Sequence, residues 1–587
     1  MNKILYIIGA IIVILSMPGK LVLAQSADPR NIQNGYSIYD NGYIDQPYVV
    51  VLKDGRWLCV FTTGAESESR PGQHIVSAIS VDHGKTWSDV VAIEPNVGPI
   101  SSWAIPYLTS YGRVYVFYNY NGDNVSKVNG KPIRQAGLLG WYCYKFSDDN
   151  GKTWSQRYRL PVRKTSLDFN NDFKGKVQMF WGIDKPDKIK SSIYFAFTKL
   201  GKFPQDIGEG WLFKSDNIAF EKDPGKIHWQ MLPEGDAGLR NPAFGSVQEE
   251  HNTVTLSNGN IYCMYRTAMG FPADAYSQDA GKTWTLPQRA VYSLGNTIKT
   301  PRACPRVFKC ANGKYLFWFH NHGGKDFKGR NPAWISGGIE KNGKIYWSQP
   351  EIILYSNDLT YAGMSYPDLI EQDGKYWITE TQKTKARVHA VDVDLLKGLW
   401  NQPTARKLIR KGLIYNQAGI KANSTVAAGT LPNLQEGGFT IDLWLELKDM
   451  EPGQIVLDNR DNQGKGVRLI TTPQHTLRLE LSDGKHTEGW DTDPGTLAAG
   501  KLHHVVFIVD GLPDIITVVV DGKLCDGGTA RIHGWGRFSD KMQNIGNNAI
   551  WKLAPALHGS LVNLRLYNRY LTTSEAISNF HAGIKRK

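Results

Sequence analysis

An octapeptide that occurs three times constrains this chain more than any other feature. Ser80–Trp87 reads Ser-Val-Asp-His-Gly-Lys-Thr-Trp, Ser147–Trp154 reads Ser-Asp-Asp-Asn-Gly-Lys-Thr-Trp, and Ser277–Trp284 reads Ser-Gln-Asp-Ala-Gly-Lys-Thr-Trp. Each copy follows a run rich in β-branched and aromatic residues, which predicts a turn leaving a strand. Asp can accept from backbone N–H groups two residues on, Gly supplies positive φ, and Trp folds back as an apolar plug. Weaker echoes end in Trp229, Trp347 and, faintest, Trp400, so tryptophans mark the chain every ~50–75 residues. A unit of that size with several short strands fits a propeller blade, and six marks predict six blades.

The chain has 587 residues, too many for one ordinary domain and enough for a propeller plus a smaller module. Its 59 Gly, 28 Pro and 11% aromatic content favour short strands and many turns over long helices. Residues 1–24 read as a secretory signal peptide. Lys3 precedes an apolar run from Ile4 to Met17, and Val22-Leu23-Ala24 offers small residues for cleavage near Ala24. That predicts a secreted or periplasmic protein, and no later apolar run is long enough to span a membrane.

Residues 30–410 carry the blade pattern. A strand–turn–strand unit over Gly42–Phe61 opens it, and hairpins over Val254–Tyr265 and Asp368–Thr379 turn on Asn258-Gly259 and Asp373-Gly374. Residues 160–235 are the least regular part and are expected to hold long inter-blade loops. Residues 411–437 are expected to form a linker. From 438 to 587, alternating runs such as Phe439–Leu447, His503–Val509 and Leu561–Leu566 predict a second β domain. The expected fold is therefore all-β, a six-bladed β-propeller followed by a jelly-roll β-sandwich.

The 6 Cys lack zinc-type spacing and are too sparse for a disulfide scaffold. Buried free thiols suit their apolar surroundings better than a Cys304–Cys310 bridge. The net charge of +13 falls to about +11 once Lys3 and Lys20 leave with a leader. These charges are dispersed and form no nucleic-acid-binding stripe, which leaves anionic glycans or membrane surfaces as partners of a basic exported protein.

The three octapeptides resemble the Asp boxes of the sialidase superfamily, which lie away from that family's active site. Ile545-Gly546 followed by His558–Arg569 resembles the ending of a concanavalin-like or laminin-G-like lectin module. The stretch Glu250–Arg266 looks like the sialidase pattern of a Glu before one strand of a hairpin and an Arg ending the next. A hairpin of that size returns Arg266 beside Glu250 at one rim. Ser365-Tyr366-Pro367-Asp368, with Asp373-Gly374 and Glu380 after it, resembles the segment that carries the family's nucleophilic Tyr. A neutral Tyr, deprotonated with help from Glu250, can attack where a substrate carboxylate would repel an anionic nucleophile. Arg330 in Gly329-Arg330-Asn331-Pro332 resembles the last Arg of the family's carboxylate-binding triad, with Arg302 and Arg306 as rivals. A guanidinium suits that task because its donor fork matches a carboxylate.

Two departures from the family stand out. Tyr43-Ile44-Asp45-Gln46-Pro47 occupies the place of an aromatic-Arg-Ile-Pro signature, with Asp45 where the first Arg would be. That reversal of charge should weaken binding of a substrate carboxylate by ~1–3 kcal/mol or more. The loop Thr62–His74, where the family's acid/base Asp would lie, contains no Asp; Glu66, Glu68, His74 or Asp45 itself could protonate the leaving group. Gln46, Gln73 and Trp103 are candidate substrate contacts, and Trp141, Tyr142 and Trp181 could also stack on a pyranose.

The resemblance implies an exo-acting glycoside hydrolase with a lectin-like C-terminal domain, no metal and no organic cofactor. It would remove a terminal sugar, acidic if the arginines meet substrate charge, from a glycan or polysaccharide. Two alternatives stay open: a polysaccharide lyase on the same scaffold, with His74 or Tyr366 as base, and a non-catalytic glycan-binding protein.

Overall fold

The computed structural model describes residues 28–360, 363–542, 544–546 and 550–584. The leader expected over 1–24 lies outside the described residues. The chain's regular secondary structure is almost all strand. Up to Val391 it forms six antiparallel sheets of four or five strands, arranged as a β-propeller. Each sheet starts at the ring axis and works outward, as in Tyr43–Val51, Trp57–Gly64, His74–Ser80 and Val91–Ala92. The last sheet runs Leu369–Gln372, Lys375–Thr381 and Ala386–Val391, and its outer place is taken by Tyr36–Tyr39 from the start of the chain. That exchange closes the ring and covers a sheet edge that would otherwise stand open.

The octapeptides are the expected turns. In the first, Asp82 Oδ1 accepts from Thr86 N at 2.9 Å and Oδ2 from the Thr86 hydroxyl at 2.6 Å. Ser80 Oγ accepts from Gly84 N at 2.8 Å, and the same bonds recur around Asp149 and Asp279. His83, Asn150 and Ala280, each just before the Gly, sit at φ of 59°, 62° and 61°. The Gly that follows continues this left-handed path without a Cβ to obstruct it.

Three expectations about elements need correction. Trp400 lies not on a turn but in the helix Val393–Asn401, whose buried Leu396, Leu399 and Trp400 fall at helical spacing. Asp392 caps that helix by accepting from Asp394 N at 2.8 Å. Residues 160–235 hold a full sheet, built on the strands Ser192–Lys202 and Asp206–Ser215. The first of these is buried along nearly its whole length, so it lacks the in–out alternation that marks a strand in sequence. Residues 411–437 are not a free linker. Leu413–Ala418 pairs with Gly559–Tyr567, and Ser424–Ala427 pairs with Ile550–Ala556. Both are edge strands whose partners lie more than a hundred residues away, a pairing that local pattern does not reveal.

The second domain is a sandwich of a seven-stranded and a six-stranded sheet around a core that includes Phe439, Leu469, Phe507 and Leu564. It docks firmly on the propeller. Arg30 Nη1 donates to Asp510 Oδ2 at 2.7 Å, and Trp535 Nε1 donates to the Asn321 carbonyl at 3.0 Å. Glu351 accepts from Thr573 N at 2.9 Å and Ser574 N at 2.7 Å, at the start of the helix Thr573–Ala582. Burial pushes that carboxyl up to about 7. All six cysteines are buried and free.

Candidate active site

The first strands of the sheets converge at their N-terminal ends, and a shared backbone device aims side chains there. Pairing slips between Asp45 and Tyr48, between Ser102 and Ile105, and between Glu249 and Asn252. At these bulges Gln46, Trp103 and Glu250 take φ of 49°, 57° and 55°, and Tyr366, just ahead of its own strand, takes 45°. Such values cost energy for residues with a Cβ, and a bulge re-aims the side chain it carries. Four sheets therefore pay a local penalty in the same place, around one centre.

At that centre the Tyr366 hydroxyl donates to Glu250 Oε1 at 2.8 Å, across 116 positions of chain. Glu250 is fully buried, and its Oε2 has no partner. Burial, against the pull of Arg266 and helped by the charge of Glu249, raises the Glu250 carboxyl above its ordinary value. The Tyr366 phenol is pushed up as well, by burial first and then by Glu250. The resting pair is thus a neutral phenol beside a carboxylate that accepts protons more readily than usual. Trp103 and Trp181 lie in the apolar cluster against which Tyr366 packs.

Arg266 Nη1 meets Glu250 Oε1 at 2.6 Å, as the hairpin reading anticipates. Its other donors go to Glu249, a residue the sequence reading passed over. Nε and Nη2 reach Glu249 Oε2 at 2.9 and 2.5 Å. Arg302 grips the same carboxylate, with Nε 3.2 Å from Oε2 and Nη2 2.5 Å from Oε1. Arg330 donates to Ser365 Oγ at 2.5 Å and to the Arg302 carbonyl at 3.3 Å. Phe327, on the exposed rim, stands 4.6 Å from the Arg302 guanidinium, 5.8 Å from that of Arg266 and 5.9 Å from that of Arg330.

The other side of the cluster is built on Lys383, which the sequence reading also missed. It comes from the loop between Lys375–Thr381 and Ala386–Val391 and sets its ammonium 2.6 Å from Asp45 Oδ2 and 3.6 Å from Glu68 Oε2. The same ammonium lies 4.7 Å from the Tyr366 ring centroid. Burial works against its charge, but Asp45 and Glu68 more than compensate and raise its pKa. Asp45 is fully buried and also accepts from the Tyr43 hydroxyl at 2.9 Å and from Gln46 N at 3.0 Å.

Several sequence candidates lie elsewhere or do framework work. His74 holds the Gly72 carbonyl at 2.9 Å, two strands out from Asp45. Glu66 is largely exposed and faces Arg70 at 3.9 Å. Arg306 is buried against Asp184 at 3.0 Å, a carboxyl that burial lifts to about 6. Gln73 bridges Ser69 N and Ser102 Oγ, both at 2.5 Å. Trp103 is 5% exposed and Trp181 and Tyr142 less, so none offers an open face to a sugar; half-buried Trp141 donates to Asp123 at 3.2 Å. Gln46 keeps one role open: its Nε2 donates to the Gly182 carbonyl at 3.2 Å, while its buried Oε1 has no partner.

A propeller with Asp-box turns, a Tyr–Glu–Arg cluster at its axis and a lectin-type sandwich behind it is a sialidase-like architecture. Comparison with known proteins agrees. Residues 145–156 match the BNR/Asp-box repeat, and residues 420–576 match the concanavalin A-like lectin/glucanases superfamily. A sialidase of Clostridium perfringens is 23% identical over 262 residues, which span 43% of this chain and 62% of that protein. The chain is thus sialidase-like, with a C-terminal concanavalin A-like domain. Among solved structures, Trypanosoma rangeli sialidase in complex with sialic acid aligns with a TM-score of 0.43 at 14% identity, covering 92% of this chain and 93% of that one. The leech intramolecular trans-sialidase aligns with a TM-score of 0.46 at 14% identity, over 62% and 71% of the two chains.

Proposed function

We propose that this chain is a glycoside hydrolase that removes a terminal sugar from a glycan, with Tyr366 as nucleophile and Glu250 as its base. The observation that carries the reading is the 2.8 Å hydrogen bond from the Tyr366 hydroxyl to Glu250 Oε1, inside a buried, arginine-rich cluster. In the first step Tyr366 Oη bonds to the anomeric carbon while its proton passes to Glu250. The glycosidic C–O bond breaks, and the leaving oxygen takes a proton from an acid on the Lys383 side. Glu68 suits that task best. Both oxygens of Asp45 already accept from protein donors, whereas Glu68 is 37% exposed and stands at the same ammonium. In the second step water attacks the anomeric carbon and gives its proton to Glu68; the Tyr366 phenolate departs and recovers its proton from Glu250. Two displacements retain the anomeric configuration.

A panel of nitrophenyl glycosides, followed by ¹H NMR of the first-formed sugar, tests this. Release of nitrophenol with a retained anomer, lost in Tyr366→Phe, is the expected result. An inverted product, or full activity in Tyr366→Phe, would remove the nucleophile. Release of an unsaturated, ultraviolet-absorbing sugar would instead indicate a lyase.

A further inference from the structure

Glu249 has no part in the mechanism above, yet it is fully buried in the cluster and held by two guanidinium groups. All three nitrogens of Arg266 are engaged by Glu249 and Glu250, and two nitrogens of Arg302 are engaged by Glu249. Two guanidiniums around one carboxylate is the arrangement with which a binding site seizes an acidic ligand. Here the protein supplies the acid. Across the cluster the Lys383 ammonium is likewise matched by the buried Asp45 carboxylate. Among the described residues of the cluster, Arg330 is the cation whose hydrogen bonds go to neutral partners, Ser365 and the Arg302 carbonyl. A substrate carboxylate that displaced Glu249 would leave a buried anion without its partners, which is strongly unfavourable.

The unsatisfied atoms point the same way. Glu250 Oε2 and Gln46 Oε1 are buried acceptors without partners, and Arg330 Nε is a buried donor without one. Two buried acceptors without partners suit a group that donates, as a hydroxyl does and an ionised carboxylate does not.

We propose that Glu249 is a resident carboxylate occupying the Arg266–Arg302 clamp, so that the pocket takes a sugar with no carboxylate on its reacting carbon. Hydroxyls of that sugar donate to Glu250 Oε2 and Gln46 Oε1, and Arg330 meets a neutral oxygen. This rests on the glycosidase reading for the word substrate, but the role of Glu249 can be measured by binding alone.

The probes are N-acetylneuraminic acid and its methyl ester, titrated calorimetrically into the full-length protein and into Glu249→Gln. The wild type should bind the acid no more tightly than the ester. Glu249→Gln, with the clamp vacated, should bind the acid at least tenfold more tightly than the wild type does. A wild type that prefers the acid tenfold or more overturns the proposal, as does a Glu249→Gln protein whose affinity for the acid stays within threefold of wild type or is undetectable. If Glu249→Gln does not fold, the wild-type comparison of acid and ester still decides. Failure of every nitrophenyl glycoside to react would count against the hydrolase reading and leave these titrations intact.

Discussion

The two sides of the cluster are built differently. On one side Tyr366, Glu250, Arg266 and Glu249 are anchored at strand starts and ends, and the three charged groups are at most 1% exposed. On the other, Lys383 and Glu68 reach in from loops and are 31% and 37% exposed, with only Asp45 buried. The first side is buried and densely ion-paired, so its hydrogen bonds are strong and its groups are set before substrate arrives. The second is wetter and can exchange protons with solvent. A displacement that passes a proton inward at one end and outward at the other uses both environments.

The largest expected effect breaks the buried side. Glu250→Gln should lower kcat by about 10³-fold for good and poor leaving groups alike, because the phenol loses its base. Steady-state rates on nitrophenyl and methyl glycosides check this, and a loss confined to one of them would contradict it. Glu68→Gln should act more selectively, with about 10²-fold loss on a methyl glycoside and a smaller loss on a nitrophenyl glycoside, which needs no acid in the first step but still needs the base of the second. If Asp45→Asn shows that pattern instead, the proton comes from the buried member and the contrast between the sides disappears.

Lys383→Met should have a smaller effect, about tenfold in kcat/KM, since it leaves Asp45 buried without its ammonium but touches neither Tyr366 Oη nor Glu250. Restoration by Lys383→Arg would sharpen its reading as an electrostatic partner. The smallest effect is in the pH profile. Glu250 works ionised, and burial raises its pKa, so activity should fall with acid at a pH above that of an ordinary Glu. Part of that elevation comes from the neighbouring charge, so Glu249→Gln should move the acid limb of kcat/KM to lower pH. An unmoved limb would mean that Glu250 and Glu249 do not sense one another.

The turns of the octapeptides were legible in sequence because every bond that defines them spans four residues or fewer. Glu250 and Arg266 were legible for a similar reason, as one hairpin brings them together. The bulges were not. Gln46, Trp103, Glu250 and Tyr366 are all ordinary residues in left-handed conformations, and no Gly or Asn marks the positions. Glu249 was overlooked beside Glu250 because alternation along a regular strand would send it to the opposite face, and the bulge cancels that alternation.

The chain's sequence by itself determined the repeat, the strand-rich class and the chemistry of each turn, since these depend on neighbours along the backbone. Closure of the ring decided the rest. It set Lys383 from the last sheet against Asp45 from the first, 338 positions away, and brought Arg302 to the carboxylate beside Glu250. Contacts at such separation depend on where whole sheets come to lie, and buried charges find their partners only after that packing is in place.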